Sequence, residues 1–121
     1  MRASLAITAA LFLAAVAGGS AQAAPVSTAV GVSEREWRIS LYRATVPPGT
    51  VRFNVTNFGE DAHDLAVVGP DGRTLGLSPE IRSGRRHTLA VRLARPGTYR
   101  LLCTKPAHVA LGMRTTVRVR R

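Results

Sequence analysis

Soft and borderline metal donors are scarce in this chain: one cysteine, three histidines and two methionines, Met1 and Met113. Three of them fall in the stretch from Tyr99 to Met113. Cys103, His108 and Met113 follow one another at intervals of five residues. Thiolate, imidazole and thioether together suit copper. A second imidazole is needed to complete such a set. His63 is the candidate, placed just ahead of the apolar residues Leu65, Val67 and Val68. Two histidines, one cysteine and a weak axial methionine make a trigonal copper site that changes oxidation state without an open coordination position. Zinc accepts similar donors. A single cysteine excludes an internal disulfide and leaves an intermolecular bridge, a reactive thiol or a metal ligand. The neighbouring histidine and methionine favour the ligand.

Such a site needs rigid elements around it. The chain supplies short runs of period-two alternation broken by turn residues. Val26 to Ser33 reads as a first, edge strand. Trp37 to Tyr42 alternates Trp37, Ile39 and Leu41 against Arg38, Ser40 and Tyr42. Val46-Pro47-Pro48-Gly49 is a turn, because proline fixes φ and glycine allows positive φ. Val51, Phe53 and Val55 form the apolar face of the next strand. His63 to Val68, Arg73 to Leu77, His87 to Leu93, Gly97 to Cys103 and Met113 to Arg120 follow, with Gly69-Pro70-Asp71-Gly72 and Arg95-Pro96-Gly97 as breaks. Glu34-Arg35-Glu36 reads as a charged break, Asn57 to Ala62 and Thr104 to Gly112 as loops, and Ser78-Pro79-Glu80 as the start of a short helical turn. Seven or eight strands without an amphipathic helix predict an all-β sandwich or barrel.

Strand parity gathers the donors. Cys103 shares a face with Tyr99 and Leu101, and Met113 shares one with Val117 and Val119. Both therefore point to the core from strand ends, with His108 in the loop between them. His63 shares a face with Leu65 and Val67. His87 alternates with Leu89 and Val91 but has no partner motif, so it reads as structural or surface.

The first 23 residues read as a secretory signal peptide. Arg2 is the basic n-region, Leu5 to Ala17 the apolar h-region and Ala21-Gln22-Ala23 the cleavage signal. Residues 24–121 then form one domain in the periplasm or outside the cell. The chain has 17 Lys and Arg against 7 Asp and Glu, a net charge of +10. Only Arg2 among the basic residues lies in the leader. That excess steers acidic protein partners or an anionic membrane surface toward the chain. Nucleic-acid binding would need basic groups interleaved with stacking aromatics, which the sequence lacks, since most of its few aromatics read as core. A copper oxidase or nitrite reductase would need additional copper sites and so more histidines than the three present.

The motifs resemble those of the cupredoxins, small blue-copper proteins of the plastocyanin and azurin type. The similarity runs from about Val46 to Val119. It is carried by Val46-Pro-Pro-Gly-Thr-Val-Arg-Phe-Asn-Val-Thr-Asn57-Phe-Gly59 and His63-Asp-Leu, then by Pro96-Gly-Thr-Tyr-Arg-Leu-Leu-Cys103-Thr-Lys-Pro106-Ala-His108 and Gly112-Met113. The resemblance implies a Greek-key β-sandwich and one type 1 copper ion. It implies His63, Cys103 and His108 as equatorial ligands and Met113 as the axial one. It also implies a monomer that shuttles single electrons, docking redox partners on an apolar ring of Pro106, Ala107, Val109, Ala110 and Leu111 around His108. A periplasmic copper carrier or scavenger is the other reading. Two positions depart from the family. Asp64 follows the first histidine where many members have asparagine, and can bond backbone amides instead. Pro106-Ala107-His108 stands for Pro-Gly-His.

Overall fold

The computed structural model describes residues 3, 4, 6, 9–19 and 26–121. Strands β1 (Ser27–Arg35), β2 (Arg38–Leu41), β3 (Thr45–Val46), β4 (Gly49–Asn57), β5 (Ala66–Val68), β6 (Thr74–Leu77), β7 (Arg86–Leu93), β8 (Gly97–Leu102) and β9 (Arg114–Val119) form two sheets. One has the order β2-β1-β4-β7 and the other β3-β9-β8-β5-β6. Both are mixed: β1 runs parallel to β4, and β3 parallel to β9. The remaining pairs are antiparallel.

Alternation decides which way each strand faces, because successive side chains point to opposite sides of a sheet. Val30 and Val32, Val51, Phe53 and Val55, and Val91 and Leu93 cover the inner face of the four-stranded sheet. Tyr99 and Leu101, Val117 and Val119, with Leu65 and Val67, cover the inner face of the other. Full burial of side chains of this kind contributes about 1.5–3 kcal/mol each. The outer faces carry Arg52 and Arg92, and Arg100 and Arg118, all exposed.

The expected sandwich is present, with nine strands among the described residues rather than seven or eight. The surplus comes from β3, a two-residue strand where the sequence reads as the start of a turn. The strand expected over His63 to Val68 is shorter. Only Ala66–Val68 is laddered, and His63 instead makes an isolated bridge with Ile81. No helical turn forms at Ser78-Pro79-Glu80, because Ser78 is drawn into bonds with Leu65. Its amide donates to the Leu65 carbonyl at 2.9 Å and its hydroxyl accepts from the Leu65 amide at 2.9 Å. The Thr104 to Gly112 loop does contain one helical turn, α1 (His108–Leu111). Two aromatics lie outside the core: Tyr42, on the face its parity shares with Arg38 and Ser40, and Phe58, in the loop after β4. Tyr42 is 84 % exposed and lies flat over Gly31, where any Cβ would strike its ring. Phe58 is half exposed beneath the Arg35 guanidinium, 5.2 Å from the ring centre.

The proposed leader cleavage site, Ala21-Gln22-Ala23, lies outside the described residues. Residues 9–19 carry no helix or strand, and Leu11, Phe12, Leu13 and Val16 are exposed. No helix among the described residues is long and apolar enough to cross a membrane.

Candidate metal centre

At one end of the sandwich His63, Cys103 and His108 bring their donor atoms together. The Nδ1 atoms of the two histidines are 3.2 Å apart. The Cys103 Sγ lies 3.5 Å from His108 Nδ1 and 4.0 Å from His63 Nδ1. An ion bound at about 2.0–2.3 Å in the plane of three N and S donors would hold them roughly 3.5–3.8 Å apart. The triangle therefore fits a single ion. Its chemistry, two imidazoles and a thiolate, is that of a type 1 copper site. His63 and Cys103 are fully buried and His108 is half-buried. His87, as expected, lies away from it, opposite Val55 on β4.

Each donor is held by a different local device. Cys103 is the first residue past β8, and Met113 is the residue before β9. The two are tied together, since the Cys103 amide donates to the Met113 carbonyl at 3.2 Å. The Met113 amide in turn donates to the His108 carbonyl at 3.0 Å. Met113 is fully buried beside these residues. The single turn of α1 swings His108 back over the cysteine. Its entry residue, Ala107, has φ 66°, and its exit residue, Gly112, has φ 123°. Ala107 is thus in the left-handed region, where glycine is the usual residue. Alanine occupies it at a cost of about 1–2 kcal/mol. Gly112 is required twice over, because a Cβ there would also meet the Trp37 carbonyl at 2.9 Å.

His63 is fixed through its backbone by paired bonds with Ile81, 3.1 Å and 2.7 Å. The loop before it is wound around the Asn57 side chain. Its Nδ2 donates to the Asp61 carbonyl at 2.7 Å and to that of Ile81 at 2.9 Å, and its Oδ1 accepts from the Gly59 amide at 2.8 Å. Asn57 is fully buried, so truncation would strand these groups. Asn57→Ala is expected to cost about 1–3 kcal/mol, read as a lower urea midpoint at unchanged slope.

Asp64 does what the sequence reading allowed. Its carboxylate accepts from the Thr104 amide at 2.6 Å and from the Thr104 hydroxyl at 2.5 Å. It thereby ties the His63 segment to the residue after Cys103. Burial pushes the Cys103 thiol up, opposed by the amides of Asp64 and Lys105. A coordinated metal ion would reverse that balance and hold the sulfur as thiolate.

Sequence reasoning missed the turn between β1 and β2. Read as a charged break, it in fact reaches both histidines. Glu36 Oε1 accepts from His63 Nε2 at 2.9 Å, and the Trp37 ring packs edge-on to His108 with centroids 4.7 Å apart. Burial pushes the Glu36 carboxyl up, but the amides of Asp61, Glu60 and Glu36 itself, with His63, outweigh it and hold it at about 2. Glu34, two residues earlier, points inward. It is wholly buried, and neither of its carboxylate oxygens has a hydrogen-bond partner. No local signal flags the Glu36 contact, which spans 27 residues, whereas Glu34 continues the alternation of Val30 and Val32, a signal that reading the triplet as a break overrode.

No family model matches the chain, and no curated protein matches it. Solved structures do. Auracyanin from Roseiflexus castenholzii superposes with a TM-score of 0.70 at 23% identity, over 78% of this chain and 98% of that one. Auracyanin A, described as a "blue" copper protein from Chloroflexus aurantiacus, gives 0.67 at 18% identity, over 78% and 100%. A copper-containing nitrite reductase from Thermus scotoductus gives 0.54 at 14% identity, with 80% of this chain matching 31% of the enzyme.

Proposed function

We propose that this chain, which has the cupredoxin fold, is an exported type 1 copper protein that passes single electrons between redox partners. The observation that carries the reading is the buried triangle of His63 Nδ1, Cys103 Sγ and His108 Nδ1. These three residues, with the buried Met113 beside them, would hold the ion. When bound, copper supplies the one-electron Cu(II)/Cu(I) couple.

The chain's own residues supply the rest. The histidine and cysteine donors come from segments locked by backbone bonds and by Asp64 and Asn57, so they move little as the charge at their centre changes. The apolar core beneath, Leu65, Leu101 and Val117, excludes water from Cys103. His108 is the one donor residue reaching the surface, and its ring edge would give an electron its way to a partner. Pro106, Ala107, Ala110 and Leu111 are exposed around it and Val109 is half-buried, which supports an apolar contact patch for a partner.

Charge is distributed in a way that bears on that partner. Glu36, Glu60, Asp61, Asp64 and Glu80 belong to the site end, bonded to or beside His63, Thr104 and Lys105. Basic residues lie among them, Arg35, Lys105 and Arg114 included, and others, such as Arg52, Arg92, Arg100 and Arg118, cover the outer sheet faces. The net charge of +10 supports long-range steering of an acidic partner or an anionic membrane surface. The leader-like first 23 residues support export.

Four protein donors at one ion would leave no open position for substrate, which supports an electron carrier over a copper enzyme.

The test is a redox titration of the copper-loaded domain. Reversible cycling between blue and colourless forms, with copper retained through repeated cycles, is the expected result. Loss of Cu(I) to a competing thiol chelator on each reduction would replace the electron carrier with a copper carrier. A protein that takes up copper without an intense thiolate-to-copper band would remove the type 1 assignment.

A further inference from the structure

We propose that Glu36 is a positioning residue for this centre: its carboxylate receives the Nε2–H of His63, fixes Nδ1 as the ligating nitrogen, and sets a negative charge one imidazole away from the metal. The inference rests on the copper reading for its electronic part. The tautomer part stands on the protein alone.

The geometry is specific. His63 is fully buried, and its ring divides between two neighbours. Nδ1 faces Cys103 and His108, while Nε2 meets Glu36 Oε1 at 2.9 Å. An ionised carboxylate only accepts hydrogen bonds. The proton of the neutral ring must then sit on Nε2, which leaves the Nδ1 lone pair for the metal. Histidine ligands commonly use their second nitrogen in this way, and removing the outer partner costs about 10–100-fold in metal affinity.

Glu36 is itself held. Its Oε1 accepts from the Asp61 amide at 2.8 Å and its Oε2 from the Glu60 amide at 3.1 Å. Gly59 clears the space, since a Cβ there would strike the carboxylate. The whole turn is anchored to the loop that carries His63: the Phe58 amide donates to the Glu34 carbonyl at 2.9 Å, and Arg35 lies over the Phe58 ring. The adjacent residue, Trp37, packs on the other histidine. One hairpin turn thus braces both imidazoles, through a charge on the buried ring and an aromatic edge on the half-buried one.

A fixed negative charge beside a ligand favours the higher oxidation state of the metal. Glu36→Gln keeps an oxygen for the loop amides and removes the charge. The expected result is a folded protein that retains its blue band, with a reduction potential raised by an amount equivalent to about tenfold in the Cu(I)-to-Cu(II) affinity ratio, about 59 mV for one electron. In the metal-free protein, nitrogen NMR should find His63 protonated on Nε2 in the parent and divided between tautomers in Glu36→Ala. A merely structural role for Glu36 would change the urea midpoint and leave both readouts alone. Unchanged potential in Glu36→Gln together with an unchanged tautomer in Glu36→Ala would overturn the proposal. If Glu36→Ala does not fold, the parent's own spectrum decides the point: a His63 ring proton found on Nδ1 overturns the proposal. A parent protein that forms no blue site would sink the copper reading, and the metal-free NMR result would still judge the tautomer.

Discussion

Cys103→Ser is expected to abolish the intense visible band of the copper-loaded protein while leaving the sandwich folded. The chain has one cysteine, so a thiolate-to-copper transition has no other origin. The side chain is fully buried at the end of β8. A hydroxyl is close enough in size to keep the packing, and the fold should lose no more than about 1–2 kcal/mol from a buried, imperfectly bonded oxygen. The metal loses much more. A neutral hydroxyl is a poor ligand for Cu(I) and weak for Cu(II), whereas thiolate is soft and charged. The loss of copper affinity should exceed the roughly 10–100-fold that follows from removing an outer partner of a ligand. Competition titration against a chelator of known affinity, with far-ultraviolet circular dichroism as the control for folding, measures both. Retention of tight copper binding with the same spectrum in the serine variant would refute the site.

Glu34→Gln should make the protein's stability less sensitive to pH, with the largest gain at alkaline pH. Glu34 is fully buried, without a partner for either oxygen. Desolvation by burial, with Asp64 adding repulsion, raises its carboxyl from 4.5 to about 8. The sign follows from proton counting. Between those two values the folded chain keeps a proton that the unfolded chain releases. Stability from this group is complete below pH 4.5 and is lost as pH rises toward 8, by about 1.4 kcal/mol per pH unit for a single fully displaced group. Glutamine does not titrate, so the variant should match the parent near pH 4.5 and exceed it near pH 8. Urea midpoints of the metal-free protein at those two values test this. Parallel pH profiles for parent and variant would show that Glu34 ionises at no cost and is solvated. Glu36 acts in the opposite sense: held low, it contributes stability above pH 4.5 that is lost as pH falls toward 2. The two windows do not overlap.

The wild-type sequence, read as a string, already contained the strands and the donor residues. Alternation is a local property, so Val51, Phe53 and Val55 or Tyr99 and Leu101 announce their buried face without any knowledge of partners. The same parity placed Cys103 and Met113 at inward-facing strand ends. His63 was legible because it heads an apolar run, and His108 because it lies between two other soft donors. Loop conformation was less legible. The single turn of α1 depends on a left-handed Ala107, a conformation that alanine rarely takes and that no propensity favours.

What only the tertiary structure decided were relations between distant segments. The parallel pairing of β1 with β4 carries the β1–β2 turn to the site, and with it Glu36 and Trp37. A charged triplet beside a tryptophan looks like a solvent-facing break. It becomes a brace only when the loop from Asn57 to Ala62 folds against it. Glu34 is the converse case. Its residue type predicts a surface position, but alternation with Val30 and Val32 turns it inward, and the backbone ladder of β1 holds it there. Local periodicity is strong enough to bury a carboxylate against its own hydration preference, because the ladder and the valines on the same face fix the strand's orientation together. Which donors meet, and which side chains hold them, is set by sheet order and register, and those are properties of the whole chain.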